Sequence, residues 1–86
     1  MGKRDHIMTL TLCYFGILAE RRGLAEEKFQ STATHPAAVY AELDARYRLG
    51  LPIAALRAAV NDEFVPMDHP LADHDTLAFL PPMSGG

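Results

Sequence analysis

The residues of this chain with the clearest chemical potential are its last two, Gly85 and Gly86. Neither carries a Cβ, so the backbone can thread a channel that would clash with any other residue, and a terminal carbonyl there stays open to attack. A carboxylate at such an end is a poor acyl donor until its oxygen becomes a leaving group. Once activated, it is a group that another protein's site can close around and hold for reaction. The residues before it suit delivery. Pro81 and Pro82 have no N–H to give to a sheet, and each pushes its predecessor toward extended backbone, so the strand-like run Thr76–Leu80 ends in a stiff stalk. Met83 offers a flexible thioether for a small apolar pocket at a channel mouth, and Ser84 is small. Six extended residues reach about 20 Å at most. A lone Ser-Gly-Gly ending would read as a frayed terminus; the residues upstream argue otherwise.

Two other sets of reactive residues compete with the tail. His69 and His74 stand among Asp68, Asp73 and Asp75, which supplies imidazole and oxygen ligands, but they are five apart in a proline-interrupted loop and form no helical i, i+4 pair. A turn braced by aspartates explains the run better, with each Asp bonding its own downstream backbone. Cys13 lies between Leu12 and Tyr14 in a strand-like segment, without the nearby base or electropositive setting of a nucleophile, and reads as a structural thiol. There is no phosphate-binding glycine loop and no hydrolase motif, so the chain is expected to bind no cofactor or metal and to be acted upon rather than to act.

The 86 residues fit one domain, and a chain this small needs nearly every large apolar side chain in its core. With 49% hydrophobic and 22% charged residues it has the composition of a soluble globular protein, and no apolar run approaches the ~20 residues of a membrane span. Residues 1–6 lack the apolar stretch of a secretory signal and are set apart as an extension. The single cysteine suits a reducing cytoplasm. All eight Lys and Arg lie at or before Arg57 with six acids, whereas the remainder holds five acids and no Lys or Arg, so the two parts carry +2 and −5. That imbalance predicts an acidic tail-bearing face, repelled by nucleic acid and attracted to a basic protein surface.

The elements that must position the tail follow from periodicity. Ile7–Phe15 alternates, with Met8, Leu10, Leu12 and Tyr14 on one face, as a half-buried strand does. A short helix over Gly16–Gly23 and a second strand over Glu26–Ser31 anchored by Phe29 come next. Thr34-His35-Pro36 predicts a helix start with Thr34 as the cap, and Val39, Tyr40, Leu43 and Tyr47 form one apolar stripe as far as Arg48, with Gly50 and Pro52 closing the helix. Strands over Ala58–Asn61 and Phe64–Val65, with a turn at Asp62-Glu63, precede the last strand, Thr76–Leu80. The order is α+β: a mixed sheet crossed by one long helix, with a short helix after the first strand. First and last strands side by side would make it a β-grasp.

Ala58-Ala59-Val60-Asn61, then Asp68-His69-Pro70-Leu71, then Asp73 and Asp75 before Leu77-Ala78-Phe79-Leu80-Pro81-Pro82 and the closing Gly85-Gly86, resemble the molybdopterin synthase small subunits, ubiquitin-like sulfur carriers of molybdenum-cofactor synthesis. Tyr14-Phe15-Gly16 resembles the family's first strand-to-helix passage. The likeness runs from about Met8 to Gly86 and is closest after Arg57. It implies a ubiquitin-like β-grasp over residues 7–80 with a flexible Gly-Gly tail over 81–86. It also implies a role without catalysis of its own. An adenylating enzyme would use ATP to activate the Gly86 carboxylate, and a sulfur-donor protein would convert it to a thiocarboxylate. The large synthase subunit, in a heterotetramer of two small and two large subunits, would then take its sulfur for a cyclic pterin precursor. By position, the resemblance assigns partner contacts to Phe15, Phe64 and Leu80, with core packing the competing role for Phe15 and Leu80. A sulfur carrier for thiamine thiazole or another thiolated product, and an inert β-grasp interaction module, are the alternatives.

Overall fold

In the computed structural model, which describes residues 7–82, the chain forms the β-grasp expected from its element order. Strand β1 (Met8–Tyr14) is followed by helix α1 (Ile17–Arg22), strand β2 (Glu26–Ser31) and helix α2 (Pro36–Tyr47). A 3-10 turn (Ile53–Ala55), which the periodicity did not reveal, leads to strands β3 (Arg57–Val60), β4 (Glu63–Val65) and β5 (Thr76–Leu80). The sheet order is β2-β1-β5-β3-β4, with β1 and β5 parallel at its centre and the other pairs antiparallel.

Strict alternation decides which face is buried. Met8, Leu10, Leu12 and Tyr14 of β1, Leu77 and Phe79 of β5, Ala58 and Val60 of β3 and Phe29 of β2 all point to one side. There they meet Val39, Tyr40 and Leu43 of α2, and the Tyr40 ring stands edge-on to Phe79 at 5.5 Å between centroids. Tyr47, the last member of the helical stripe, is only half-buried, and the Arg22 guanidinium lies 3.8 Å from its ring centre. Arg22 also grips Glu27 through two bonds, Nε to Oε2 at 2.9 Å and Nη2 to Oε1 at 2.7 Å, while the Tyr14 hydroxyl donates to Oε2 at 2.6 Å. This network joins β1, α1 and β2 beside the core.

Several boundaries differ from expectation for local reasons. Pro36 occupies the first turn of α2, which makes His35 rather than Thr34 the cap; its Nδ1 accepts from the Ala38 N–H at 3.3 Å. At the other end Arg48 is the left-handed capping residue, two positions before Gly50, which also has positive φ, and the Asp44 carboxylate accepts from the Gly50 N–H at 2.7 Å. The β3–β4 turn is Asn61-Asp62, both with positive φ, so Glu63 is already paired with Val60.

The aspartates of the loop before β5 do brace a turn, though their partners are not the downstream backbone. Asp73 Oδ1 accepts from Thr9 N of β1 at 2.7 Å. Asp75 accepts from Ala72 N at 2.8 Å and from the Asn61 side-chain amide at 3.0 Å. Asn61 Oδ1 in turn accepts from Thr76 N at 3.0 Å. The beginnings of β1 and β5 and the end of β3 are thereby held together, which fixes where β5 begins and so where it must end.

Candidate functional site

The site is built around the point where β5 leaves the sheet. Phe79 is fully buried, Leu80 half-exposed, and Pro81 packs against the passage between β1 and α1. Gly16 makes that packing possible. Its φ of 56° lies in the left-handed region, and a Cβ there would come 3.3 Å from the Pro81 ring. The stalk thus starts from a fixed position. Met83, Ser84, Gly85 and Gly86 lie outside the described residues.

Next to this exit, the face of the sheet away from α2 is uncovered. Residues directly opposite each other on paired strands share a face. The register therefore sets Leu80 beside Arg57 in one row, and Cys13, Ala78, Ala59 and Phe64 side by side in the next, with the exposed Glu26 of β2 closing that row at the far edge beyond Cys13. Continuing the β1–β5 register by one residue adds Phe15 to the first row. Farther from the exit the rows turn polar, with Thr76, Thr11 and Lys28, then Thr9 and Gln30. Of the three residues assigned to partner contact, none is in the core: Phe64 is 64% exposed, Phe15 48%, and Leu80 half-exposed. A hollow of about 360 Å³ between Phe64, Arg57, Leu56 and Met67 extends the patch at the β3–β4 edge. Arg57, Ala59 and Ala78 were not singled out from sequence. Alternation along Thr76–Leu80 does link Ala78 to Leu80, but Arg57 and Ala59 join them only through the β3–β5 pairing.

The charge expectation needs correction. Four of the five acids after Arg57, all but Asp68, lie away from the exit of the tail. Asp62 and Glu63 sit at the β3–β4 turn, and Asp73 and Asp75 at the start of β5, all at the end of the sheet opposite the exit. Arg57, exposed and paired with Leu80, stands at the exit itself. Charge that is uneven along the sequence is separated along the strand axis.

The competing chemistries find no support among the described residues. No group of three His, Cys, Asp or Glu could hold a metal there. His74 is exposed, with its Nε2 3.4 Å from the Asp73 carboxylate. The Cys13 thiol is pushed up, first by burial and then by Glu26 and Asp62, so little thiolate forms at neutral pH. No described helix is long and apolar enough to cross a membrane.

A central parallel strand pair, a crossing helix, an uncovered sheet face and two prolines ahead of a closing Gly-Gly define a ubiquitin-like β-grasp domain. The chain belongs to the ThiS family, whose model matches residues 12–86. It is similar to the molybdopterin synthase sulfur carrier subunit of Escherichia coli (strain K12), with 51% identity over 41 residues, and this match spans 48% of the chain and about half, 51%, of that relative. Among solved structures, the Haloferax volcanii HVO 2177 protein superposes over the full length of both chains with a TM-score of 0.82 at 23% identity, a likeness of fold. A complex of subunits 1 and 2 of molybdopterin-converting factor from Helicobacter pylori 26695 contains a chain that matches with a TM-score of 0.62 at 28% identity, over 92% of this chain and 100% of that one.

Proposed function

We propose that this chain is the sulfur-carrying small subunit of a molybdopterin synthase and that its reacting group is the Gly86 carboxylate. The observation that carries the reading is the continuity between the apolar open face and the stalk. Phe15, Leu80 and Phe64 converge on the place where Pro81 departs, so a partner seated on that face receives the tail directly. The similarity to the E. coli carrier and to one chain of the H. pylori two-subunit complex supports the same partner class.

In this reading an adenylating enzyme joins the Gly86 carboxylate to the AMP portion of ATP and releases pyrophosphate. The persulfide of a donor protein then attacks the acyl-adenylate, expelling AMP and forming an acyl disulfide, and a thiol of that donor cleaves the S–S bond, itself ending in a disulfide, to leave a thiocarboxylate. Docked on the large subunit, the tail gives up its sulfur to a cyclic pterin precursor, and two loaded chains are consumed for each dithiolene. Burial of the tail keeps water from the activated carbonyl, and Gly85 and Gly86 let the site close around it. Pro81, Pro82, Met83 and Ser84 line the same path as partner contacts. The carrier binds no cofactor of its own, performs no catalysis alone and works in the cytoplasm.

Reconstitution tests this. Loaded chain, large subunit and cyclic precursor together should yield the dithiolene product, and a chain lacking Gly86 should yield none. A chain that loads sulfur yet gives no dithiolene would instead be a carrier for thiamine thiazole or another thiolated product.

A further inference from the structure

Arg57 is a cation set within the apolar patch. It lies opposite Leu80 and diagonal to Phe64, whose ring centre is 5.1 Å from the guanidinium carbon. Arg21 donates to the Leu49 carbonyl, Arg22 pairs with Glu27 and Arg46 with Glu42. Among the described residues Arg57 has no such ion-pair partner, and Asp62 and Glu63 lie at the other end of β3. In water this costs nothing. Once a partner covers Phe15, Leu80 and Phe64, however, the charge loses solvent, and an unpaired buried cation is strongly unfavourable.

We propose that Arg57 determines partner specificity: the protein that docks on the open face presents a carboxylate side chain, within an otherwise apolar surface, which pairs with the Arg57 guanidinium while the Phe64 ring backs it. The proposal rests on the carrier reading for the identity of the docking protein. Arginine suits the position because its planar fork can bind a carboxylate through two bonds and stack on an aromatic ring at once. A partner with a basic or wholly apolar face would be rejected.

The test is calorimetric binding of the large molybdopterin synthase subunit from the same genome to the wild-type chain and to Arg57→Leu, Arg57→Lys and Arg57→Glu, at low and high salt. Circular dichroism would verify that each variant folds. The sign of the Leu effect decides the matter. With a carboxylate opposite, Arg57→Leu should weaken binding roughly 30-fold or more. Arg57→Lys should weaken it less, Arg57→Glu more, and the salt dependence should shrink in Arg57→Leu. Unchanged or tighter binding by Arg57→Leu would overturn the proposal and leave the carrier reading standing. Absence of wild-type binding would overturn both.

Discussion

Gly16 and Pro81 are in contact across the exit of the last strand: the glycine leaves room that a Cβ, 3.3 Å from the proline ring, would take. One residue thus governs both the passage from β1 to α1 and the direction of the stalk. Placing a β-branched side chain there forces left-handed backbone on a residue that resists it, at a cost of order 1–3 kcal/mol. Gly16→Val should therefore lower the melting midpoint by about 4–8 °C for each kcal/mol lost. It should also weaken capture of the tail by the large subunit more than stability alone explains. An unchanged midpoint together with unchanged binding would show that the contact does not aim the tail.

The Arg22–Glu27–Tyr14 network predicts an acid-sensitive component of stability. Arg22 bonding holds the Glu27 carboxyl below its ordinary value, ahead of the opposing effect of burial, and the Tyr14 hydroxyl adds to the lowering. A depressed folded-state value means that the stabilisation is complete above the unfolded reference, about 4.3 for Glu, and disappears as pH falls through the folded value. Glu27→Gln should cost roughly 1.5–3 kcal/mol at neutral pH, the range for hydrogen bonds to a charged group. Urea titrations should show the gap from wild type closing at acid pH; a constant gap would place the effect in packing.

His35 caps α2 through its ring Nδ1, which accepts from the Ala38 N–H at 3.3 Å. His35→Ala should destabilise the fold by about 0.5–2 kcal/mol, whereas Asp, a stronger capping residue, should match or exceed the native stability. Denaturant midpoints for the three proteins would check this, and equal values for wild type and His35→Ala would mean the cap contributes nothing.

How much of this was legible in the sequence depended on how local the cause was. The alternation of Met8–Tyr14 and the Val39, Tyr40, Leu43 stripe disclose much of the core, because each is a property of one element read alone. Threonine is the commoner cap and points to Thr34, whereas Pro36 in the first helical turn makes His35 the cap. The β3–β4 turn lies one residue earlier than the acidic pair Asp62-Glu63 suggests, because Asn61 tolerates positive φ and takes the first turn position. Charge was misjudged for a different reason. A count along the chain does not say at which end of a strand the acids lie; the length of β5 alone separates Asp75 from Leu80, but only the β3–β5 register places Asp62 and Glu63 at the far end from it. Arg57 was invisible as a site residue for the same cause, since its neighbours Leu80 and Phe64 come from two other strands.

The central claim is that the chain carries sulfur on its own C-terminus, and the most direct measurement is an intact mass of the protein before and after incubation with an adenylating enzyme, ATP and a persulfide source, beside a control lacking Gly86. The account predicts a gain equal to the exchange of one oxygen for sulfur, confined to the C-terminal peptide and absent from the control. No gain from an activating enzyme proven competent on another carrier would contradict it, leaving a β-grasp domain that binds partners with an inert tail.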